Sequence, residues 1–501
     1  PQIAAIRALE DEIQSQGSAK VNNLVDLLGS MRDEDDAVAK AALHALRRLF
    51  TGGCACLQAA ASAAPSAQSA GGAPQSQAAA EKAASIYTTW VRGRYCDFKE
   101  ALLSNLGRSA KDLQIVSTVA LMQLVKLEST LLGADAFAVD TFATVVRAVL
   151  LTRYNRDDVV KMFVRSFVSE YDDVRYHSLK VVKAVLSGVR QRTPDAAALE
   201  TVHSALVLLL GLRMPPASQD KLESFWVPKN SGADTAAAVE PGSRKKRNTG
   251  AGARGKRVTQ ARSHRKAFGD CWTELLQVRG LDVAAYRRVL LGMHDQILPH
   301  LPHPLLLSDF LTDAYDHGGA ASMLAMHGLF VLMSKHGLEY PQFYQRLYAL
   351  MTPSIFHLAH RDQFFRLTDL FLTSKGLPVY IAAAFIKRMA QLALTAPPAG
   401  CLLLLPCIYN LLQRHPTCKC MIHRERKRAL DGSDPTASTT PGCAQAKADP
   451  FVADEDDPAR ANALESSLWE LEALKRHYFP PVAKFVKVFS ADFTKPVGDH
   501  L

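Results

Sequence analysis

The sequence predicts an all-α protein built of paired helices, and three observations support this prediction. Apolar residues recur at intervals of three and four along most of the 501 residues, which is the spacing of one face of an α-helix. No segment alternates apolar and polar residues with the period of two that a half-buried strand requires. Proline and glycine separate apolar segments of roughly 10 to 18 residues, which favours short connections between antiparallel neighbours. The predicted class is a HEAT- or armadillo-like solenoid with long disordered insertions, although no sequence repeat of fixed period is evident.

Composition divides this array into folded and unfolded parts. Residues 52–84 are rich in Ala, Ser, Gly and Gln and almost lack bulky apolar side chains, so we expect disorder there. Residues 424–458 begin basic, pass through Ser, Thr and Pro, and end acidic, which predicts a loop. The expected division is 1–51 as N-terminal helices, 52–84 as a disordered insertion, 85–214 as an N-terminal helical array, 215–264 as a basic Gly/Pro linker, and 265–501 as a C-terminal helical array interrupted by the loop 424–458.

Proline and glycine mark the ends of the helices predicted in the C-terminal array. Proline is tolerated at the first position of a helix, where its missing N–H costs little, so Pro304, Pro341 and Pro378 each begin one. Asp282 is suited to cap the helix that precedes them. The predicted helices cover residues 283–298, 304–317, 320–335, 341–351, 361–374, 378–396 and 462–477.

The positive charge of the chain is concentrated in one segment. The formal net charge is +10, and residues 241–266 contain ten Lys and Arg without an acidic residue, so the rest of the chain is nearly neutral. Clustered cations release counterions on binding a polyanion, which predicts nuclear targeting or contact with RNA phosphates; the alternative is a passive linker. The segment contains no aromatic residue for base stacking, so an RNA contact would be independent of sequence. The candidate residues are Arg244, Lys245, Lys246, Arg247, Arg254, Lys256 and Arg257.

The same segment contains a glycine pattern of the kind found in phosphate-binding loops. Gly250, Gly252 and Gly255 match GxGxxG, and residues 250–257 match a P-loop except at the last position. A phosphate loop requires a buried strand before it and a helix after it. Here the flanks are polar and basic, and Arg257 replaces the Mg²⁺-binding hydroxyl. Only this loop supports the hypothesis of a nucleotide-dependent enzyme. We therefore predict that the protein binds no cofactor.

Cysteine and histidine residues do not form a recognisable metal or catalytic motif. The chain has nine cysteines, an odd number, and they are scattered through predicted helical segments. This pattern favours a reducing compartment over a disulfide framework. Cys418 and Cys420 are closer than the C-x2-4-C spacing of structural zinc, so we expect buried free thiols at Cys401, Cys407, Cys418 and Cys420, and no zinc site with His415 or His423. His294–Asp295 and His317 lack a nucleophile motif and are expected to have surface or capping roles. We predict a protein that is not an enzyme.

The ends of the chain and its apolar runs contain no targeting or membrane signal. The longest apolar runs are far shorter than the ~18 to 20 residues of a membrane helix. The chain begins at Pro1 without an initiator methionine, so we expect that its start was trimmed or lies upstream. The compartment is expected to be the cytosol or the nucleus.

An ordered set of motifs resembles a known family. These motifs are DFLTDAYDHGG (309–319), LEYPQFY (338–344) and ALESSLWELEAL (463–474). Together they resemble the CCAAT-binding-factor family of ribosome-biogenesis proteins, in its nucleolar complex branch, over residues 265–482. Before residue 265, only the short segment YDDVRYHSLK (171–180) resembles the family.

The resemblance implies a non-enzymatic scaffold of small ribosomal subunit biogenesis. It implies location in the nucleolus, pairing with a nucleolar protein 14-like protein, and association with other components of the small-subunit processome. The implied role is support of pre-rRNA processing and of small-subunit assembly and export. The alternative is a nuclear transport protein or a general α-solenoid adaptor that binds a protein cargo.

Aromatic and leucine residues within the motifs are the candidates for partner binding. Aromatic side chains on such helix faces usually pack in the core, but they also dominate the binding energy of interfaces. Trp469 lies at the edge of a leucine stripe. The candidates are Tyr340, Phe343, Tyr344, Leu464, Leu468, Trp469 and Leu471.

Overall fold

A computed structural model describes residues 2–16, 20–53, 75–132, 136–191, 195–216, 222–227, 258–278, 280–317, 319–357, 361–373, 376–422 and 449–490. Regular secondary structure in these ranges is helical, so the predicted all-α class is confirmed. The chain divides into two compact units, Pro1–Leu306 (unit 1) and Leu307–Leu501 (unit 2). None of the helices in the described ranges is long and apolar enough to cross a membrane.

Unit 1 is a succession of helices in which most contacts join elements one or two apart in the chain. This is the contact pattern of a helical-pair solenoid. Two described helices begin at capping aspartates: Asp35 accepts a hydrogen bond of 2.9 Å from the Ala37 amide, and Asp195 accepts one of 2.8 Å from the Ala198 amide. The α-helices are α1 (Gln2–Gln16), α2 (Asn23–Ser30), α3 (Asp36–Arg48), α4 (Gln75–Asn105), α5 (Lys111–Leu131), α6 (Val139–Leu150), α7 (Arg156–Phe163), α8 (Asp172–Arg190), α9 (Ala196–Gly211), α10 (Ala261–Leu276) and α11 (Val283–Gly292).

Helix α10 belongs to unit 1, because it packs along α8. Lys183 of α8 forms an ion pair of 2.8 Å with Asp270 of α10. The Cys271 thiol donates to the Leu179 carbonyl at 3.0 Å. The predicted C-terminal array began at residue 265, whereas the compact units divide between residues 306 and 307. Residues 265–306 thus pack with the helices that precede the basic segment.

The segment 222–227 is held by the first residues of α8. The Asp173 carboxylate accepts hydrogen bonds of 3.0 Å from the amides of Trp226 and Val227, and Asp172 accepts one from Ser224. Burial raises the pKa of Asp173, and these backbone hydrogen bonds oppose that rise. Near the C-terminal end of the basic segment, the Thr259 carbonyl accepts a hydrogen bond of 3.1 Å from the Leu222 amide. Both flanks of the basic segment are therefore anchored within unit 1.

Unit 2 contains the helices that follow residue 307, and most of their ends lie close to the predicted prolines and glycines. The α-helices are α12 (Ser308–Asp316), α13 (Gly319–His336), α14 (Phe343–Ala349), α15 (Arg361–Phe371), α16 (Val379–Thr395), α17 (Pro398–Arg414), α18 (Trp469–Leu474) and α19 (Pro480–Val486). Short 3-10 turns cover Pro353–His357, Pro416–Met421, Ala463–Glu465 and Lys487–Ser490.

Two of the predicted helices are interrupted. The one expected over residues 283–298 ends as an α-helix at Gly292 and continues as a π-helical turn, Met293–Ile297. The helix expected over residues 462–477 is reduced to a 3-10 turn and the short α18. Between them, the Leu468 amide donates to the Met421 carbonyl at 2.9 Å. Because that amide bonds outside the segment, it is not available to an α-helix.

Two stretches predicted as unfolded are partly ordered. Helix α4 begins at Gln75, inside the Ala-rich stretch 52–84, and alanine has the highest helix propensity of any residue. The loop predicted over residues 424–458 folds onto unit 2 from Asp449 onward. Phe451 is buried there, and Arg388 donates to the Ala453 carbonyl. Residues 54–74 and 423–448 lie outside the described residues.

Candidate protein-binding groove

A groove of about 340 Å³ lies on unit 2. The 3-10 turn Pro416–Met421 forms one side, α18 forms another, and α19 with the following turn Lys487–Ser490 forms the third. Charged side chains at its rim are Glu472 and Lys475, which form an ion pair of 2.6 Å. The apolar walls consist of Met421, Ile422, Leu468, Trp469, Leu471, Val486 and Phe489.

Trp469 is the exposed aromatic side chain of this groove. It is the first residue of α18, and 47% of its surface is accessible. Its indole Nε1 donates a hydrogen bond of 2.9 Å to Asp449, which fixes the orientation of the ring. A tryptophan that is held in place while exposed can bind a partner with little loss of side-chain entropy.

A buried lysine holds the backbone around Trp469. Lys387 of α16 is fully enclosed, and its ammonium donates to the Ser467 carbonyl at 2.7 Å and to Asp449 at 2.8 Å. The same ammonium lies 2.7 Å from a carboxylate oxygen of Glu470. These contacts fix residues on both sides of Trp469, so the groove wall is attached to the core of unit 2.

The two carboxylates of this network have opposite pKa shifts. Burial raises the pKa of Glu470, and the hydrogen bond from Lys387 opposes the rise. Burial acts in the same direction on Asp449, but hydrogen bonds from Lys387, Ser466 and Trp469 outweigh it and hold the pKa of Asp449 at about 2. Asp449 is therefore ionised at neutral pH and remains an acceptor for the indole.

The structure separates the predicted partner-binding residues into two groups. Leu468, Trp469 and Leu471 line the groove, although only Trp469 is strongly exposed. The other candidates do not line it. Leu464 lies in the adjacent turn Ala463–Glu465 and is partly buried.

Phe343 and its neighbours form an aromatic cluster elsewhere in unit 2. Phe343 is completely buried, and its ring centre lies 5.4 Å from that of Phe371. Tyr340 and Tyr344 are partly buried at the edge of this cluster. Tyr344 donates to the Phe371 carbonyl at 3.4 Å. Phe343 thus contributes to the core, and its assignment to a partner surface does not fit its burial.

Four residues of the groove and its support were missed in the sequence. Met421 and Phe489 are distant from Trp469 in the chain, and nothing local indicates that they meet it. Asp449 was placed in a loop. Lys387 offered one signal, since it is a charged residue within the otherwise apolar run IAAAFIK of α16.

The basic candidates lie outside the described residues. This applies to Arg244, Lys245, Lys246, Arg247, Arg254, Lys256 and Arg257, and to the glycine pattern between them. Their role in nuclear targeting or phosphate contact stays a prediction.

Three of the four cysteines predicted to be buried thiols are buried: Cys401, Cys407 and Cys418, all of which are free. Cys420 is also free but only partly buried, so the prediction of burial is wrong there. Burial raises the pKa of Cys407 to about 12 and that of Cys418 to about 11, which disfavours the thiolate that metals require. Among the residues whose placement is described, no group of three His, Cys, Asp or Glu is arranged to hold a metal.

His294 and Asp295 contact each other in the π-helical turn Met293–Ile297, where His294 Nε2 lies 3.0 Å from Asp295 Oδ2. Adjacent residues of a helix ordinarily face different sides. The Asp295 side chain is largely exposed, so the pair lies at the surface of unit 1.

Comparison with known proteins gives matches in both units. Residues 322–486 match the CBF/Mak21 family, and residues 2–191 match the family described as nucleolar complex protein 4-like, TPR repeats. The resemblance is therefore wider than residues 265–482, because it includes the helices of unit 1.

Similar relatives cover most of the chain. A nucleolar complex protein 4 homolog of Rattus norvegicus is 36% identical over 98% of this chain and 87% of its own length. The Homo sapiens homolog is 37% identical over 82% of this chain and 73% of its own length. The Danio rerio homolog is 35% identical over 79% of this chain and 70% of its own length. The chain therefore belongs to the nucleolar complex protein 4 family, a family of nucleolar proteins with a role in ribosome biogenesis.

Proposed function

We propose that this protein is a non-enzymatic scaffold of small ribosomal subunit biogenesis that binds a nucleolar protein 14-like protein through unit 2. Trp469 is the observation that supports this proposal most directly. It is nearly half exposed, it is oriented by Asp449, and it lies within the residues that match the CBF/Mak21 family. Tryptophan is enriched among the few residues that supply most of the binding energy of an interface.

The shape and chemistry of the groove favour a protein segment as its occupant. A volume of about 340 Å³ is small for a cofactor site, whereas an apolar side chain of a partner helix fits such a groove. Met421, Leu468 and Phe489 supply apolar walls, and the Glu472–Lys475 ion pair supplies a polar rim. An apolar centre with a polar rim is the usual arrangement of a protein interface.

Coexpression of the full chain with a nucleolar protein 14 relative tests the proposal. We expect a stoichiometric complex on size-exclusion chromatography. Trp469→Ala should weaken the complex by at least ~30-fold, since loss of such an anchor costs about 2 kcal/mol or more. Ser490→Arg, which obstructs the groove without changing the Trp469–Asp449 contact, should have the same effect.

Tyr380→Ala is the matched control. Tyr380 is 45% exposed, is also in unit 2, and does not line the groove. Its replacement should leave the affinity unchanged. A complex that survives both Trp469→Ala and Ser490→Arg at full affinity would place the partner on another surface.

The alternative function is that of a nuclear transport protein or general α-solenoid adaptor. Both functions use a protein-binding surface, so the associated RNA distinguishes them. A processome scaffold copurifies with small-subunit precursor RNA and with other processome proteins, whereas a transport adaptor does not.

We further propose that the basic segment acts in localisation or in contact with pre-rRNA phosphates. Replacement of Arg244, Lys245, Lys246 and Arg247 by alanine should leave helicity unchanged, because the anchoring contacts of the flanks lie outside this run. It should reduce nuclear accumulation or the salt dependence of RNA binding. If neither property changes, the segment is a passive linker.

A further inference from the structure

A second and larger cleft, of about 820 Å³, lies on unit 1. One wall is the end of α7 with the π-helical turn Val164–Val168. The C-terminal end of α9 forms the second wall, and α11 with its following turn forms the third. The cleft is separate in sequence from the groove on unit 2 and from the basic segment.

The inner surface of the cleft is apolar. Val164, Val207 and Leu210 lie along it, and Leu291 of α11 is 37% exposed. Gly292 permits close approach of α11 to α9, since a Cβ there would lie 3.1 Å from Leu210 Cδ2. Apolar side chains of α9 and α11 thus lie side by side in the cleft, and they form its apolar floor.

Exposed cations surround this floor. Arg165, Arg213 and Arg288 line the cleft, each from a different wall. Within the part of the chain that the structure describes, no carboxylate lies within 4.0 Å of these three guanidinium groups. A fourth cation, Lys161, has a loose contact of 3.7 Å with Asp157, and Glu170 is the acidic residue of the lining.

Unpaired arginines around an apolar floor indicate a ligand with both carboxylates and apolar side chains. Arginine binds carboxylates through two parallel hydrogen bonds, and the interaction strengthens where apolar surface excludes water.

We propose that this cleft binds an acidic segment of a partner protein in which apolar residues alternate with Asp or Glu at helical spacing. RNA is the less suitable ligand for two reasons. The lining of the cleft contains no aromatic side chain on which a base stacks. The apolar floor gives no advantage to a phosphate backbone.

The test uses the full chain and a fluorescent peptide of about 15 residues, with Leu at helical spacing and Glu elsewhere. Fluorescence anisotropy should show saturable binding. Arg165→Glu with Arg288→Glu should weaken it at least ~10-fold, because like charges then face the peptide. Leu291→Ser should weaken it ~3- to 10-fold without changing the charge of the cleft.

Two controls separate this cleft from general electrostatic attraction. Arg7→Glu makes a charge change on α1, which does not line the cleft, and should leave binding unchanged. The series is repeated with Arg244, Lys245, Lys246 and Arg247 changed to alanine, so that attraction to the basic segment is removed. Circular dichroism verifies that each variant is folded.

Three results would overturn the proposal. The first is peptide binding that is unchanged in the Arg165→Glu/Arg288→Glu variant. The second is binding that disappears when the basic segment is neutralised. The third is binding of an oligouridylate of equal length that the peptide does not displace. In that result, the affinity for the oligouridylate falls in the Arg165→Glu/Arg288→Glu variant and stays the same in Leu291→Ser.

Discussion

The ammonium of Lys387 lies 2.7 Å from a carboxylate oxygen of Glu470, and both side chains are completely enclosed within unit 2. Removing two charges from water costs several kcal/mol each, so such a pair persists only where further polar contacts stabilise it. Lys387 obtains them from Ser467 and Asp449. Since Glu470 follows Trp469 directly, this pair connects the exposed groove to the core.

Lys387→Met should destabilise unit 2 by ~3 to 5 kcal/mol at neutral pH, because it leaves the buried carboxyl group of Glu470 without its cation. Urea unfolding followed by tryptophan fluorescence measures the loss. The double variant Lys387→Met/Glu470→Met should recover most of it, since no buried charge at either position remains. Equal destabilisation in the single and double variants would contradict the importance of this ion pair.

The pKa shift of Asp449 predicts a specific dependence of stability on pH. Its folded pKa of about 2 is below the ordinary value of 3.8, so its contribution is present above pH ~4 and is lost as pH falls towards 2. Asp449→Asn should therefore be less stable than the unmodified protein at pH 7, with a difference that shrinks below pH 4.

Glu470 has the opposite effect on the dependence of stability on pH. Its raised pKa means that its ionisation opposes folding as pH rises above the ordinary value of 4.5. Curves of unfolding free energy against pH for Asp449→Asn and Glu470→Gln distinguish the two groups. A constant difference between Asp449→Asn and the unmodified protein from pH 7 to pH 2 would refute the role given to Asp449.

Shortening the loop between α17 and α18 should have an effect that depends on where the deletion ends. Replacing residues 424–446 by a flexible linker should change the melting temperature little, because halving a surface loop alters closure entropy by only ~0.6 kcal/mol. Replacing residues 424–458 also removes Asp449 and the buried Phe451, and should destabilise unit 2 by several kcal/mol. Differential scanning calorimetry of both variants compares them directly. Equal melting temperatures would contradict the packing of residues 449–458.

Asp173→Ala should release the segment 222–227 from unit 1. It removes the acceptor for the Trp226 and Val227 amides and should cost about 1 to 2 kcal/mol, since partly buried donors are left unpaired. Hydrogen exchange at these two amides should accelerate. Asp140→Ala, at an exposed first-turn position of α6, is the control and should leave this exchange unchanged. Unchanged exchange in Asp173→Ala would show that Trp226 packing alone holds the segment.

Local sequence features determined which segments of the chain form most of its helices. Pro378 and Gly337 predicted ends that the structure places within one or two residues, because proline and glycine act on the backbone of their immediate neighbours. The family motifs around Trp469 also pointed to one wall of the groove, since they are contiguous in the chain.

Contacts between residues distant in the chain determined the helix interruptions, the unit boundary and the binding surfaces. The amide of Leu468 bonds to Met421 and the carbonyl of Ser467 to Lys387, so tertiary hydrogen bonds replaced part of a helix that local periodicity predicts. Helix α10 joined unit 1 through Lys183 and Asp270, which lie 87 residues apart. Apolar periodicity specifies which face of a helix is buried, but it does not specify the partner that buries it. The groove, the cleft and the boundary at residue 306 all depend on which helices pack against each other. Only the tertiary structure shows that packing.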